Sequence, residues 1–170
     1  MRICCLLAIL AALAVSPTMA DEADVEKPEK LEIRHSQIGY RNTLLFYTFQ
    51  KQRAIMVLSI GNKDETFPIT GKVHLFGKET TEKGLKKWIN NQHSDGLYPD
   101  VPQPVSTHKL SPKSCKVASR KQTGVSRNPG FRGGMYKDFE VTLSIEAEDI
   151  GGKFKLPAFT DKARVHVEDK

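Results

Sequence analysis

Phe139-Glu140-Val141-Thr142-Leu143-Ser144-Ile145-Glu146 is the stretch that decides the fold. Apolar and polar side chains alternate through it without a break. A period of two places successive side chains on opposite faces of a strand, so one face is buried and the other wetted. A half-solvated strand belongs to an antiparallel sheet, because a parallel sheet is covered on both sides.

The same pattern recurs toward the C-terminus. Gly151-Gly152 turns the chain, Phe154 and Leu156 alternate with Lys153 and Lys155, and Ala163, Val165 and Val167 alternate with Arg164, His166 and Glu168. Toward the N-terminus, Leu31 and Ile33 alternate with Glu32 and Arg34 in a short first strand. Residues 43–49 and 54–60 are dense in aromatic and aliphatic residues and are separated by Gln50-Lys51-Gln52-Arg53. They read as two strands joined by a polar turn, the second buried on both faces, with one amphipathic helix as the competing reading. Aromatic and β-branched side chains favour the strands. Residues 67–76 continue in that style, with Phe67, Ile69, Val73 and Leu75 on one face and Pro68 confining the start to an edge or a bulge.

One helix is expected at about residues 81–94. Thr80 or Thr81 can cap it, Leu85, Trp88 and Ile89 form one apolar stripe, and Gly96 follows His93-Ser94-Asp95 as a stop. Lys86 and Lys87 face away from the stripe, so the helix should lie on a sheet. Prolines 99, 102, 104 and 112 make residues 98–112 extended loop or edge. Residues 126–134, with Asn-Pro-Gly and paired glycines, read as a turn-rich loop. Seven to nine strands, one helix and no strand–helix alternation give a mainly β fold: an antiparallel two-sheet β-sandwich with one inserted amphipathic helix.

Residues 1–20 stand apart. Arg2, an apolar run over residues 3–15 and the small residues before Asp21 match a secretory signal cleaved after Ala20. Thirteen apolar residues are too few for a spanning helix, which needs about 20. The mature chain is expected to be secreted or periplasmic, with no transmembrane segment. Residues 21–30 are charged and aperiodic and read as a flexible lead-in, leaving 31–170 as one domain. Cys4 and Cys5 leave with the signal, so the fold forms no internal disulfide and rests on packing.

Charge is unevenly placed. Without Arg2 the 26 basic residues become 25 against 20 acids, a net charge of +5. No acid lies between Asp100 and Asp138, while Lys109, Lys113, Lys116, Arg120, Lys121, Arg127, Arg132 and Lys137 do, with Phe131 and Tyr136 interleaved. Such a run can meet phosphate, sulfate or carboxylate groups on a polymer, or simply keep a long loop solvated. Nucleic acid is a poor partner for an exported protein, so an anionic glycan or membrane surface comes first.

Three smaller constellations complete the reading. His93, Asp95 and Asp100 offer imidazole and carboxylate ligands to a divalent metal, though at no recognised spacing. Cys115 follows His108 by seven residues and lacks the flanking motif of a nucleophile; a buried, inert thiol is the commoner case. His35, His74 and His166 fall on strands and read as solvated side chains. No nucleophile elbow, phosphate loop, zinc helix or dinucleotide fingerprint is present, and no cofactor is implied. The expectation is a non-catalytic exported binding module that contacts an anionic partner through residues 109–137. The alternatives are a small hydrolase or metal-dependent enzyme at the His93–Asp100 turn, and a structural component of an exported assembly.

Overall fold

The structure is a computed structural model that describes residues 27–34, 42–62, 65–92, 100–127, 134–149, 151 and 155–168. The signal sequence, His35, His93, Asp95, Gly96, Phe131 and Arg132 lie outside the described residues.

The chain is mainly β. Strands β1 (Glu29–Arg34), β2 (Asn42–Phe49), β3 (Ala54–Gly61), β4 (Ile69–Leu75) and β5 (Ser106–Lys109) form an antiparallel sheet in sequence order. Strands β6 (Cys115–Arg127), β7 (Met135–Ile145) and β8 (Phe159–Glu168) form a second antiparallel sheet, with β7 in the middle. The helix α1 (Glu82–Asn91) is inserted between β4 and β5.

The alternation that predicts the strands also sets their faces. Leu45, Tyr47 and Phe49 of β2 and Ala54, Met56, Leu58 and Ile60 of β3 point inward. They meet Phe139, Val141, Leu143 and Ile145 of β7 and Ala163, Val165 and Val167 of β8 in one buried cluster. Aromatic rings bridge the sheets, with Tyr47 and Phe159 centroids 5.0 Å apart and Phe67 and Phe139 5.3 Å apart, both edge-to-face. Asp161, opposite Leu143 on the inward register, would be costly there without partners. The Tyr47 hydroxyl donates to it at 2.8 Å and the Lys30 ammonium lies 2.8 Å away.

One long side of the sandwich is sealed. Thr43 Oγ1 donates to the Arg164 carbonyl at 3.2 Å, Asn62 Nδ2 to the His166 carbonyl at 2.8 Å, and Lys30 Nζ to the Lys162 carbonyl. Alternate carbonyls of β8 are thereby satisfied by side chains of the first sheet. The Lys30 contacts also explain why β1 begins at Glu29, two residues before the expected start. On the other side the chain crosses between sheets at residues 110–115. Leu110 N–H donates to the Gly71 carbonyl at 3.0 Å. A Cβ on Gly71 would sit 2.6 Å from Leu58 Cδ2 and 2.7 Å from Leu110 Cδ1, so any larger residue would force those side chains to shift where the chain crosses.

The helix starts as expected and ends earlier. Thr81 is the N-cap, accepting from Gly84 N–H at 3.2 Å. Leu85, Trp88 and Ile89 are buried against Phe46, Ile55, Phe76 and Val101 on the outer face of the first sheet. The stripe runs out at Gln92, an exposed residue whose N–H closes the helix onto the Trp88 and Ile89 carbonyls. Among the described residues no helix is long and apolar enough to cross a membrane.

Three further expectations change. Phe67 and Pro68 precede β4 instead of starting it, and Phe67 takes a φ of 50°. Of the alternating residues 153–156, Lys155 and Leu156 are described, and they meet the chain as an isolated bridge from Glu148 to Lys155 and a hydrogen bond from Leu156 N–H to the Ala147 carbonyl at 2.9 Å. The third is β6, thirteen residues long, which occupies a region read as a solvated basic segment. Its six residues from Ala118 to Thr123 are all exposed, because β6 is an edge strand with register shifts at Val117/Ser119 and Gln122/Gly124. Bulges break the period of two, and exposure on both faces removes the apolar members of the alternation.

Candidate functional site

Directly opposed residues in an antiparallel pair share a face, so the registers of β6, β7 and β8 define the outer surface of the second sheet. Its rows run Lys116–Ser144–Thr160, Ser119–Thr142–Lys162, Lys121–Glu140–Arg164, Gly124–Asp138–His166 and Ser126–Tyr136. Every position except Gly124 carries a hydroxyl, an imidazole or a charge. This face is the wet side of the alternation that buries the core.

The charges are arranged around two carboxylates. Asp138 is held by His166 Nδ1 and by the Ser126 hydroxyl, which donates at 2.9 Å. Glu140 accepts from Lys162 Nζ at 2.8 Å, while Lys121 and Arg164 flank it in register on the neighbouring strands. The Lys162 hydrogen bond, then the Lys162 charge, with those of Lys121 and Arg164, hold the Glu140 carboxyl below its ordinary value. Three cations thus share one carboxylate. Lys121 and Arg164 act on it only through space, and Lys116 has no ion-pair partner among the described residues.

Of the eight cations singled out in the sequence, the seven among the described residues do not form one surface. Lys116 and Lys121 lie on this outer face. Arg120 donates to the Glu65 carbonyl and Lys137 pairs with the Glu65 carboxylate at 3.6 Å, so both gather at the loop before β4. Arg127 is exposed at the far end of β6, Lys113 is exposed in the turn before it, and Lys109 belongs to the first sheet. Sequence reasoning missed Lys162 and Arg164. Their alternation with Ala163 and Val165 marks them as wet-face residues, but only the pairing of β8 with β7 brings them to Lys121.

The chain matches no protein-family model, no curated protein and no solved structure.

Of the metal trio, His93 and Asp95 lie outside the described residues and Asp100 is an exposed turn residue; among the described residues no group of three or more potential metal ligands occurs. His108 lies with its Nε2 3.1 Å from Ser106 Oγ and its Nδ1 3.8 Å from Asp149 Oδ2. The three residues follow the order of a nucleophile–base–acid relay, but the second gap exceeds hydrogen-bond length. Asp149 is bridged to Leu110, so the cluster ties β5 to the segment after β7.

Cys115 sits at the margin of the intersheet core, and burial pushes its thiol up to about 12. A nucleophilic cysteine needs the opposite shift. Native protein at pH 8 is expected to resist iodoacetamide, with rapid labelling in denaturant; mass spectrometry showing equal labelling in both would contradict the placement.

His74 is a correction to the solvated reading. It lies half-buried against Trp88, ring centroids 4.7 Å apart, with Nδ1 2.9 Å from Thr107 Oγ1. Burial, then the Lys72 charge, holds it below 6.5. The unfolded chain takes up this proton near 6.5 and the folded chain only at lower pH. Stability is therefore fully present above 6.5 and declines as pH falls toward the depressed folded value. Urea midpoints should drop between pH 7 and pH 5, and drop less in His74→Gln; equal drops would remove His74 as a cause.

Proposed function

We propose that the chain is an exported, non-catalytic binding module that engages an anionic glycan through the outer face of its second sheet. The carrying observation is the grouping of Lys121, Lys162 and Arg164 around the single carboxylate of Glu140, with Lys116 nearby and hydroxyls between. Sulfate or uronate oxygens on an extended chain can accept from these ammonium and guanidinium groups and from Ser119, Thr142, Ser144 and Thr160. Guanidinium adds bidentate geometry to what the lysines supply as point charges.

The spread of the polar rows across three strands favours a polymer over a small ligand. Its lack of apolar side chains favours a glycan over a bilayer, because surface helices and loops that enter lipid carry apolar residues on the buried side. Export rests on the charged start, apolar run and small residues of positions 1–20.

Chromatography on an immobilised sulfated polysaccharide tests this reading. Retention at low ionic strength that weakens steeply with added salt is expected, because multiple charge contacts release counterions. Passage through the column at low salt would reject it, and binding to anionic vesicles without binding to the polysaccharide would move the function to a membrane surface.

A further inference from the structure

The outer face of the first sheet carries a separate feature, independent of the glycan reading. Among the described residues, the helix packs on the part of that face formed by Phe46 and Ile55. Beside it an open trough of about 690 Å³ crosses β2, β3 and β4, within the roughly 300–1,000 Å³ common for small-molecule sites. Its floor is apolar, formed by Leu44, Phe46 and Val57, and Trp88 stands at the helix side.

Two cations stand at the rim. Lys72 and Lys109 are directly opposed across the β4–β5 pair, and both are exposed. Like charges in directly opposed positions destabilise a sheet, so the pairing runs against stability. Among the described residues, no aspartate or glutamate lines the trough, and neither lysine has an ion-pair partner. An apolar trough ending at two mutually repelling ammonium groups is matched by a molecule with one anionic end and one apolar chain.

We propose that this trough binds a single-chain carboxylate amphiphile of the fatty-acid class, its carboxylate between Lys72 and Lys109 and its chain along Leu44, Val57 and Trp88. The carboxylate would offset the repulsion between the lysines, and the chain would cover apolar surface that the helix leaves open. The head group sets specificity and the methylenes supply affinity.

Trp88 is the only tryptophan in the chain, so its fluorescence reports this site alone. The purified protein is titrated with dodecanoate, decanoate, dodecanol and dodecyltrimethylammonium, each below its micelle-forming concentration. Dodecanoate should give a saturable change, with decanoate weaker by on the order of tenfold for two methylenes. Dodecanol should bind more weakly, and the quaternary amine should not compete. Lys72→Glu/Lys109→Glu should weaken dodecanoate by tenfold or more, on the order expected of a lost charge-assisted contact, and should gain affinity for the quaternary amine. Both lysines are exposed; Lys72→Gln/Lys109→Gln gives a second, gentler pair, with circular dichroism checking the fold of each. The proposal is overturned by no saturable response to dodecanoate, the result expected if the chain's own residues fill the trough. Equal affinity for dodecanol, or unchanged affinity in both folded double variants, overturns it as well. Polysaccharide retention is read separately and should be the same with and without dodecanoate.

Discussion

Leu143→Ala is expected to destabilise the protein by about 2–5 kcal/mol, the range for deleting a buried leucine side chain and leaving a cavity. For a domain of this size that lowers Tm by roughly 5–15 °C. Leu143 is fully buried on the middle strand of the second sheet, opposite Val117 on one side and Asp161 on the other. Hydrogen bonds to β6 and β8 hold the backbone from both sides, so the cavity cannot close by moving the strand. Asp161 beside it is already committed to Tyr47 and Lys30. Val105→Ala is the control, because Val105 is 70% exposed and its truncation should change Tm by no more than about 1–2 °C. Thermal unfolding followed by far-ultraviolet circular dichroism compares the two. Indistinguishable melts would mean that the inner face of β7 does not pack on the first sheet.

The second large effect concerns binding. Lys121→Glu/Arg164→Glu is expected to weaken low-salt retention on a sulfated polysaccharide strongly while leaving the melt nearly unchanged. Both side chains are exposed and neither contributes to the core. In the native face they flank Glu140 as unneutralised positive charge. After reversal three carboxylates stand in one row, with only Lys162 and Lys116 left nearby. If each cation contributes one contact, the slope of log affinity against log salt should fall by roughly two units. Reversing Lys113 and Lys137 instead provides the contrast, because Lys113 lies in the turn before β6 and Lys137 is engaged by Glu65. Equal losses in the two double variants would show a response to net charge alone, and the proposed face would lose its support.

What could be read from the sequence divides along a physical line. The strands with one dry and one wet face, β7 and β8, announce themselves because burial on one side forces the period of two. The helix is legible from Thr81 and the Leu85, Trp88, Ile89 stripe for the same reason, although its end is set by where the apolar contacts stop. β6 is not legible, since an edge strand with two bulges buries almost nothing and its residues 118–123 carry no burial pattern. Its cations looked like the solvated charges of a loop. The candidate site suffers from a further limit. Lys121, Glu140 and Arg164 are separated by 19 and 24 residues in sequence and become neighbours only through strand register, which local patterning does not encode. The opposed pair Lys72 and Lys109 is hidden in the same way.

The proposed contact is between an anionic glycan and the outer face of the β6–β7–β8 sheet. Amide chemical-shift mapping during titration with a sulfated oligosaccharide tests it residue by residue. Shifts are expected to concentrate at Lys116, Ser119, Lys121, Thr142, Lys162 and Arg164, with Leu44, Val57 and Lys72 on the opposite face unmoved. Saturating oligosaccharide that leaves those six amides in place, or that shifts only Lys109 and Lys113, would contradict it.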